Sequence, residues 1–229
     1  MILPAWRRRF VESVYATHNS SPQIVAALGR CLSHAGPSDR ILNVGSGYGR
    51  RSPKTTNFDY VQTPSVDCRG AAERLPFRSA AFNVIITQET LEHVREPDVA
   101  VSEMYRVLTP GGLLYCQVPF VIGYHPGPTD FWRFSREGIV QILERAGFSC
   151  DEIGIAVGPA TGFYRIAVEF IAVIASRVSR NLYIPTKAAF ALALAPVKLL
   201  DIALVNAAQA DRIAGGYYVI ARKPAERAS

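Results

Sequence analysis

Cysteine is scarce in this 229-residue chain, and none of its four cysteines forms a CxxC pair with another. Zinc-ligand spacing is therefore missing, and a disulfide framework would be unusual in a chain of this length. Cys116 and Cys150 stand among apolar residues, which predicts buried, reduced thiols. The first ten residues lack the apolar run of a signal peptide, so we expect a cytoplasmic protein.

Long basic runs are missing as well, although the net charge is +6 and the isoelectric point lies near 9.3. No alternation of basic and aromatic residues marks a stacking platform for single-stranded nucleic acid, which is the less favoured partner. Anionic lipid or a phosphorylated substrate suits the charge better. The hydrophobic fraction of 49% and the charged fraction of 19% indicate one globular domain over residues 1–229.

Helical and strand patterns alternate along the chain. Amphipathic helices are predicted within the N-terminal region 1–40 and further on, at residues 6–15, from Pro22 onward, 97–108 and 136–146. Short apolar runs predict strands at residues 41–44, 58–61, 66–68, 82–86, 112–118, 153–157 and 217–221. This alternation is typical of an α/β protein with a mainly parallel sheet and helices on both faces, here with its core in 41–158 and 212–223.

A glycine-rich turn, Gly45–Gly49, directly follows the first predicted strand. Glycines let the backbone approach a ligand closely, and in an open α/β sheet such a turn lies where ligands bind. An ordinary strand-to-helix turn is the alternative interpretation. NAD is disfavoured because the later glycine of GxGxxG is missing, and the lysine and hydroxyl of a P-loop are missing too.

Five motifs follow one another in the order Asn43–Gly49, Ala72–Phe77, Ala81–Ile85, Leu91–Val94 and Arg106–Gly112. With this set the chain resembles the class I S-adenosylmethionine-dependent methyltransferases of the type 11 group, over roughly residues 38–150. The resemblance implies a Rossmann-like, doubly wound sheet of seven strands whose last strand is antiparallel. Within the group, the segment His125–Phe134 is similar to bacterial members associated with glycan and cell-envelope biosynthesis.

The resemblance also implies a set of cofactor-binding residues. Gly45, Ser46 and Gly47 would pass under the methionine portion of S-adenosyl-L-methionine. Ala72 and Glu73 would border the adenine. Gln88 would lie beside the sulfonium.

Several acidic residues usual in the group are replaced. Asn43 stands at the start of the glycine turn, and Ala71 and Asn83 stand at two other acidic positions. The acid usual after the second strand, which binds the ribose hydroxyls, has no counterpart, and Gln62 and Thr63 occupy the strand end. A charge-assisted hydrogen bond of about 1.5–3 kcal/mol gives way to a neutral one of about 1 kcal/mol. Both amides keep an acceptor oxygen, so we expect Asn43 and Gln62 to contact the cofactor.

Methyl transfer to a hydroxyl needs an aligned acceptor and a base for its proton. His93 and His125 follow strand carboxyl ends and are the candidate bases, although a helix-start role with a backbone bond suits His93 equally well. Asp130 is expected to orient His125 or to contact substrate. We expect Trp132 and Phe134 either to form a wall on which a sugar ring stacks or to pack in the core.

Glu89, Glu92 and His93 stand at i, i+3 and i+4, which would be one face of a helix. This pattern is similar to the divalent-metal motif of some O-methyltransferases that act on vicinal hydroxyls, with His125 as a fourth ligand. The same Leu91–Val94 motif is also widespread in methyltransferases with no known metal. We therefore assign no metal site from the sequence.

Residues 159–211 form an apolar insert before the last predicted strand. Neither of its two apolar stretches supplies the roughly 20 uncharged residues of a spanning helix. The residues around these stretches favour helices that lie in a membrane interface. They are two arginines and three aromatics, namely Arg165, Arg177, Phe163, Tyr164 and Tyr183. A helical cap or a homodimer interface is the alternative.

The sequence thus predicts an S-adenosylmethionine-dependent methyltransferase at the cytoplasmic surface of the inner membrane. Its expected acceptor is a small-molecule or lipid-linked hydroxyl, on a sugar or precursor of cell-envelope or glycan biosynthesis. A catalytically inactive, methyltransferase-like binding or assembly subunit is the alternative.

Overall fold

The computed structural model describes residues 21–36, 38–50 and 54–225. The predicted helix over residues 6–15 lies outside these ranges. Five α-helices are described, namely α1 Pro22–Ser33, α2 Pro97–Val107, α3 Arg136–Arg145, α4 Pro159–Val178 and α5 Tyr183–Ala193, followed by a single turn, α6 Asp201–Leu204. The strands are β1 Ile41–Val44, β2 Thr55–Asp59, β3 Cys68–Arg69, β4 Phe82–Gln88, β5 Leu108–Pro119, β6 Ser149–Val157 and β7 Gly216–Arg222.

The seven strands form one sheet in the order β3-β2-β1-β4-β5-β7-β6. The first five run parallel, and Val44 of β1 pairs with Phe58 of β2 and Thr87 of β4. Strand β7 runs antiparallel beside β5, where Lys223 and Gly112 meet through an N–H···O bond of 3.0 Å. The predicted seven-stranded, mainly parallel sheet is confirmed.

Two compact units make up the described chain. The sheet unit comprises residues 26–119, 125–154 and 217–225. The helical unit comprises residues 21–25, 120–124 and 155–216.

The core of the sheet unit forms where the apolar stripes of α2 and α3 bury against the strands. Val101 and Met104 of α2 and Ile139 and Leu143 of α3 are fully buried, each worth about 1.5–3 kcal/mol relative to exposure. Helix α3 begins where Ser135 accepts a hydrogen bond from the N–H of Gly138 at 3.1 Å. These helices fix the sheet whose carboxyl edge carries the site.

Strand β2 begins and ends earlier than predicted. Its bounds are Thr55–Asp59 and not 58–61, because Thr55 and Asn57 are polar yet buried, so a search for apolar residues missed them. The amide of Asn57 is satisfied by the carbonyls of Gly49 and Ser65, at 3.0 and 2.9 Å. Other bounds also differ: β3 covers 68–69 and not 66–68, β5 begins at 108 and not 112, and β6 begins at 149 and not 153.

All four cysteines are free thiols. Cys116 is buried as predicted, and burial raises the pKa of its thiol. Cys150 is only half-buried, contrary to the prediction, although burial still raises its pKa to about 11. At neutral pH these two side chains are uncharged and weakly nucleophilic.

The helical unit is built on the pairing of α4 with α5. Tyr164, Val168 and Ala191 form its buried centre, and the Tyr164 hydroxyl donates to the Ala191 carbonyl at 2.9 Å. On the same pair, Glu169 accepts from the hydroxyl of Tyr183 at 2.6 Å. The predicted apolar helical insert is confirmed.

Asp201 caps the start of α4 from 40 residues further along the chain. Its carboxylate accepts the N–H groups of Ala160 at 2.8 Å and Thr161 at 3.0 Å. It also accepts the hydroxyl of Thr161 at 2.6 Å. These are orphan donors of the first helical turn, so the contact stabilises both the helix start and the α6 turn.

Helix α4 buries one side and exposes a stripe of large apolar residues on the other. Phe163, Phe170 and Val178 are 60%, 65% and 83% exposed. Within the described ranges, α4 is the one helix whose length and composition would suffice to cross a membrane. Two residues predicted to face an interface do not, since Tyr164 and Arg165 are buried in the protein.

Candidate active site

A cavity of about 600 Å³ opens at the carboxyl ends of β1, β2 and β4, entirely within the sheet unit. Its volume lies in the range of small-molecule sites. In an open α/β sheet, this edge is where ligands bind. The wall is made by the glycine turn, the end of β2, residues 70–73, residues 89–95 and the loop 127–131.

The glycine turn closes one side of the cavity in a conformation that needs glycine. Gly45 has a φ of 74°, and a Cβ there would lie 2.0 Å from the hydroxyl oxygen of Thr90. Gly47 has a φ of 59° and open space where a Cβ would stand. Both glycines line the cavity, whereas Ser46 is not among the lining residues. The backbone can therefore approach a ligand closely at Gly47.

Asp59 supplies the acidic residue that the sequence seemed to lack at the end of the second strand. It is the last residue of β2 and lines the cavity. One carboxylate oxygen accepts from the N–H of Gly47 and the other from that of Val61, both at 2.8 Å. The prediction that no acid follows the second strand was wrong, because the strand ends at Asp59, two residues before its predicted end at 61.

The amides predicted to replace acidic residues lie away from the cavity. Gln62 is exposed, and its amide donates to the carbonyls of Thr63 and Val66. Asn43 is buried and faces Asn57 at 3.4 Å. Neither lines the cavity, so the structure gives no support to their role in cofactor binding.

The remaining predicted cofactor residues divide in the same way. Ala72 and Glu73 line the cavity, as expected for residues that border a ligand. Gln88, at the end of β4, donates its amide N–H to Gln117 of β5 at 2.8 Å and does not line it.

Beyond β4 the chain makes a 3₁₀ turn at Leu91–His93, not the α-helix that the spacing of Glu89, Glu92 and His93 suggested. Glu89 itself has a φ of 48°, which no α-helix allows. The backbone carbonyl of Glu92 accepts from the N–H of Phe131 at 2.7 Å. This bond joins the turn to the loop after β5, which brings His93 and His125 together.

Glu92 is a fully buried carboxylate beside two imidazoles. Its Oε1 lies 3.5 Å from Nε2 of His125 and 3.7 Å from Nε2 of His93. Both distances exceed the usual N–H···O hydrogen-bond length of about 2.7–3.2 Å. Burial, and secondarily the nearby charge of Glu89, raises the pKa of Glu92.

His93 lines the cavity, and its ring orientation is fixed by a backbone contact. Its Nδ1 is hydrogen-bonded to the carbonyl of Thr129. A carbonyl only accepts, so Nδ1 carries the hydrogen and a neutral ring presents a lone pair at Nε2. The predicted hydrogen bond between His93 and the backbone is therefore present, and Nε2 of His93 stays available as a proton acceptor.

His125 is held behind His93 and is not among the cavity-lining residues. Its backbone N–H donates to Asp130 at 2.8 Å, and its Nδ1 lies 3.2 Å from a guanidinium nitrogen of Arg133. Burial tends to raise the pKa of Asp130, but the paired hydrogen bonds from Arg133 outweigh it and lower that pKa to about 2. The predicted orienting role of Asp130 fits this geometry, and no sequence pattern singled out Arg133.

Of the two interpretations offered for the loop aromatics, the structure supports core packing for Phe134 and does not support a stacking wall. Phe134 is buried in the core, so it cannot form a stacking wall. Trp132 is half-exposed, donates its indole N–H to the Val94 carbonyl at 2.9 Å and does not line the cavity. Phe131, which the sequence did not mark out, lines the cavity with the Arg95 guanidinium 5.7 Å from its ring centre.

Residues 42–116 match the family model described as a methyltransferase domain. The match begins in β1 and ends in β5, and so includes the glycine turn, Asp59, Glu73 and His93. It coincides with the part of the sheet that carries the cavity. This part of the chain is therefore similar to a methyltransferase domain.

Curated relatives share this methyltransferase domain over part of their length. A Mycolicibacterium smegmatis protein named probable S-adenosylmethionine-dependent methyltransferase is 32% identical over 103 residues, 42% of this chain and 40% of the relative. The ubiquinone biosynthesis O-methyltransferase of Methylocella silvestris is 25% identical over 161 residues, 62% of this chain and 59% of the relative. The match therefore covers less than two thirds of either relative.

Solved structures share the fold of the methyltransferase domain at low identity. A phosphoethanolamine N-methyltransferase of Haemonchus contortus superposes with a TM-score of 0.56 at 17% identity, covering 94% of this chain and 57% of that one. The (4+2)-cyclase SpnF superposes with a TM-score of 0.53 at 20% identity, covering 96% and 94%. Proteins named for different reactions thus share this fold, so the reaction must be argued from the site.

Proposed function

We propose that this protein binds S-adenosylmethionine in the cavity of the sheet unit and transfers its methyl group to a hydroxyl of an acceptor. The observation that carries the proposal is the pairing of the Gly45–Gly47 turn with Asp59 across the ends of β1 and β2. Glycines with positive φ let the backbone contact the cofactor, and a carboxylate at the second strand end suits the ribose hydroxyls. A structure of the Haemonchus contortus enzyme holds S-adenosyl-L-methionine on the same fold.

Within this proposal the cofactor spans the cavity from the 70–73 segment to the glycine turn. Ala72 and Glu73 would border the adenine, and Asp59 would accept from the ribose hydroxyls. Asp59 takes this role in place of Gln62. Its two oxygens each accept one backbone N–H and retain lone pairs for a ligand.

His93 is the group that activates the acceptor hydroxyl. Its Nε2 is a proton acceptor at the cavity wall, and its Nδ1 is hydrogen-bonded to the Thr129 carbonyl. The carboxylate of Glu92 at 3.7 Å favours the imidazolium that forms after proton transfer. His125 and Asp130 then act by positioning, since neither lines the cavity.

The acceptor class follows from this chemistry and from the helical unit. We propose a hydroxyl on a sugar or lipid-linked precursor, because an imidazole base suits oxygen acceptors and the chain carries an exposed apolar face. The O-methyltransferase name of the Methylocella silvestris relative supports oxygen as the acceptor atom.

Calorimetric titration tests the cofactor step directly. S-adenosylmethionine and its demethylated product should each bind with one site per chain, and NAD should give no heat. Absence of heat at millimolar S-adenosylmethionine would refute the proposal and favour a methyltransferase-like assembly subunit. A His93→Ala variant should bind the cofactor as the unchanged protein does, which separates binding from turnover.

We further propose that the exposed stripe of α4 places the protein on the cytoplasmic surface of the inner membrane. Phe163, Phe170 and Val178 lie along one face of the helix, and Arg177 is exposed at its end. An apolar face flanked by a cation suits an anionic lipid surface, as does the net charge of +6. The opposite side of α4 is occupied by α5, which favours a helix lying on the bilayer.

Vesicle sedimentation tests this surface. The full chain should bind vesicles of phosphatidylcholine mixed with phosphatidylglycerol, and a Phe163→Ser, Phe170→Ser variant should bind at least about tenfold more weakly. Val99→Ser, which changes an exposed apolar residue on α2, is the matched control. Equal binding by all three proteins would refute the membrane proposal, and a change from dimer to monomer in the double variant would favour a dimer interface.

A further inference from the structure

We infer that Glu92, His93 and His125 form a binding site for one divalent transition-metal ion. The three side chains come from the 3₁₀ turn after β4 and from the loop after β5. Each offers a ligand atom, and these atoms all lie within 4.8 Å of one another. The inference goes beyond the proposed methyl transfer, and it differs from the sequence motif because Glu89 is not part of this group.

The distances fit a common ion. Zinc binds nitrogen and oxygen ligands at about 2.0–2.1 Å, which places ligands of a tetrahedral site about 3.4 Å apart. Nε2 of His125 and Nε2 of His93 lie 3.5 and 3.7 Å from the same oxygen of Glu92. Small side-chain movements would therefore bring all three into coordination.

The buried carboxylate provides the independent observation that points to a ligand. Glu92 has no exposed surface, and its contacts with the imidazole nitrogens of His125 and His93 are long, at 3.5 and 3.7 Å. An ionised carboxylate in that situation is costly unless it is paired or holds a metal. Glu89 adds a second negative charge near it. A bound cation would satisfy Glu92 and balance both charges.

The contacts of the two Nδ1 atoms suit metal binding at Nε2, provided that His125 carries its hydrogen on Nδ1. His93 already keeps its hydrogen on Nδ1, bound to the Thr129 carbonyl, and so directs its Nε2 lone pair at the site. Nδ1 of His125 lies 3.2 Å from Arg133, which donates, and 3.6 Å from Asp130, which accepts. Metal binding at Nε2 would place the His125 hydrogen on Nδ1 and turn it toward Asp130.

Two imidazoles with one carboxylate favour zinc, iron, cobalt or manganese over magnesium. Three protein ligands leave coordination positions for water or for an acceptor oxygen. In the metal-bound protein Nε2 of His93 would no longer be a free base. The cation itself would then lower the pKa of a coordinated hydroxyl, and the two modes of activation exclude each other.

Metal titration of the full chain, stripped with a chelator, tests the inference without an activity assay. Zn²⁺ should bind with one site per chain near neutral pH, and Co²⁺ should give the visible absorption of a low-coordinate nitrogen and oxygen site. His93→Ala, His125→Ala and the near-isosteric Glu92→Gln should each abolish the Co²⁺ bands. Asp130→Asn should weaken metal affinity by about tenfold or more, because it acts only through His125.

The control is His34→Ala, which removes an exposed imidazole elsewhere and should leave the titration unchanged. Thermal melts of each variant establish that it is folded. Absence of Co²⁺ bands in the unchanged chain, or equal bands in folded His93→Ala and His125→Ala, would overturn the inference. S-adenosylmethionine binding measured on the same samples separates a missing metal site from a missing cofactor site.

Discussion

Replacing Asp59 with Asn tests whether the end of β2 binds the cofactor. The carboxylate lines the cavity and already accepts the N–H groups of Gly47 and Val61. Asn has nearly the same shape, so the variant should fold, but it has one acceptor oxygen in place of two and no charge. What is lost is the negative charge facing the proposed ribose hydroxyls.

The expected loss of affinity follows from that change. A charge-assisted hydrogen bond is worth about 1.5–3 kcal/mol, and a neutral one about 1 kcal/mol. The difference, about 0.5–2 kcal/mol, corresponds to roughly 2- to 30-fold weaker binding of S-adenosylmethionine. Calorimetry with the demethylated product measures the same quantity without turnover.

Gln62→Ala is the matched control for Asp59→Asn. Gln62 follows Asp59 by three residues but is exposed, and its amide contacts only backbone carbonyls among the described residues. Its removal should change affinity less than about twofold, at the lower limit set for Asp59. If Asp59→Asn binds as tightly as the unchanged protein, or Gln62→Ala binds more weakly than it, then the cofactor does not lie against the end of β2.

Three further outcomes follow from individual contacts. His93→Ala should reduce turnover by about 100-fold or more with cofactor affinity unchanged, measured by methyl transfer at saturating cofactor; full activity would remove His93 from the mechanism. The pKa of Asp130 lies at about 2 against an ordinary 3.8, so its carboxylate should stabilise the fold by about 2 kcal/mol above pH 4, a contribution lost as pH falls toward 2. Urea unfolding of Asp130→Asn should show that deficit at neutral pH and a shrinking one in acid; a deficit independent of pH would contradict the assignment. Asp201→Ala should destabilise the start of α4 by about 1–2 kcal/mol, whereas Asp201→Asn should lose less, both measured by urea unfolding; equal stability of all three proteins would refute the cap.

The order of elements and the direction of the sheet could be predicted from the sequence because they depend on patterns that burial imposes directly. Apolar runs marked β1 and β4 to within two residues, and the Gly45–Gly49 turn fixed where the ligand edge would begin. The bounds of β2 could not be found in this way. Thr55 and Asn57 are buried although they are polar, so they carry no hydrophobic signal, and hydrogen bonds to two carbonyls satisfy the amide of Asn57.

That one error in strand bounds carried over into the site. With β2 predicted at 58–61 and not at 55–59, the strand end fell next to Gln62, and Asp59 was assigned to the strand interior. The acid had in fact been present in the sequence, and a search for a carboxylate at any plausible strand end would have found it. The placement of Gly45, Gly47 and His93 at the cavity wall did follow from the motifs.

The buried cluster could be predicted only in part. The sequence indicated that Glu92, His93 and His125 belonged together, but it placed Glu89 with them on a helix that does not form. Arg133 was missed because its contacts with Asp130 and His125 depend on the path of an irregular loop. No periodicity describes such a path.

The chain leaves the sheet at Val157 and returns to it at Gly215, and the N–H of Gly215 donates to the carbonyl of Val157 at 2.8 Å. Residues 158–214 thus leave and rejoin the chain at two residues that are hydrogen-bonded to each other. Because closure entropy grows only slowly with loop length, so long a detour adds little cost over a short connection. We therefore expect that the connection over residues 158–214 can change in length while the last two strands stay in register.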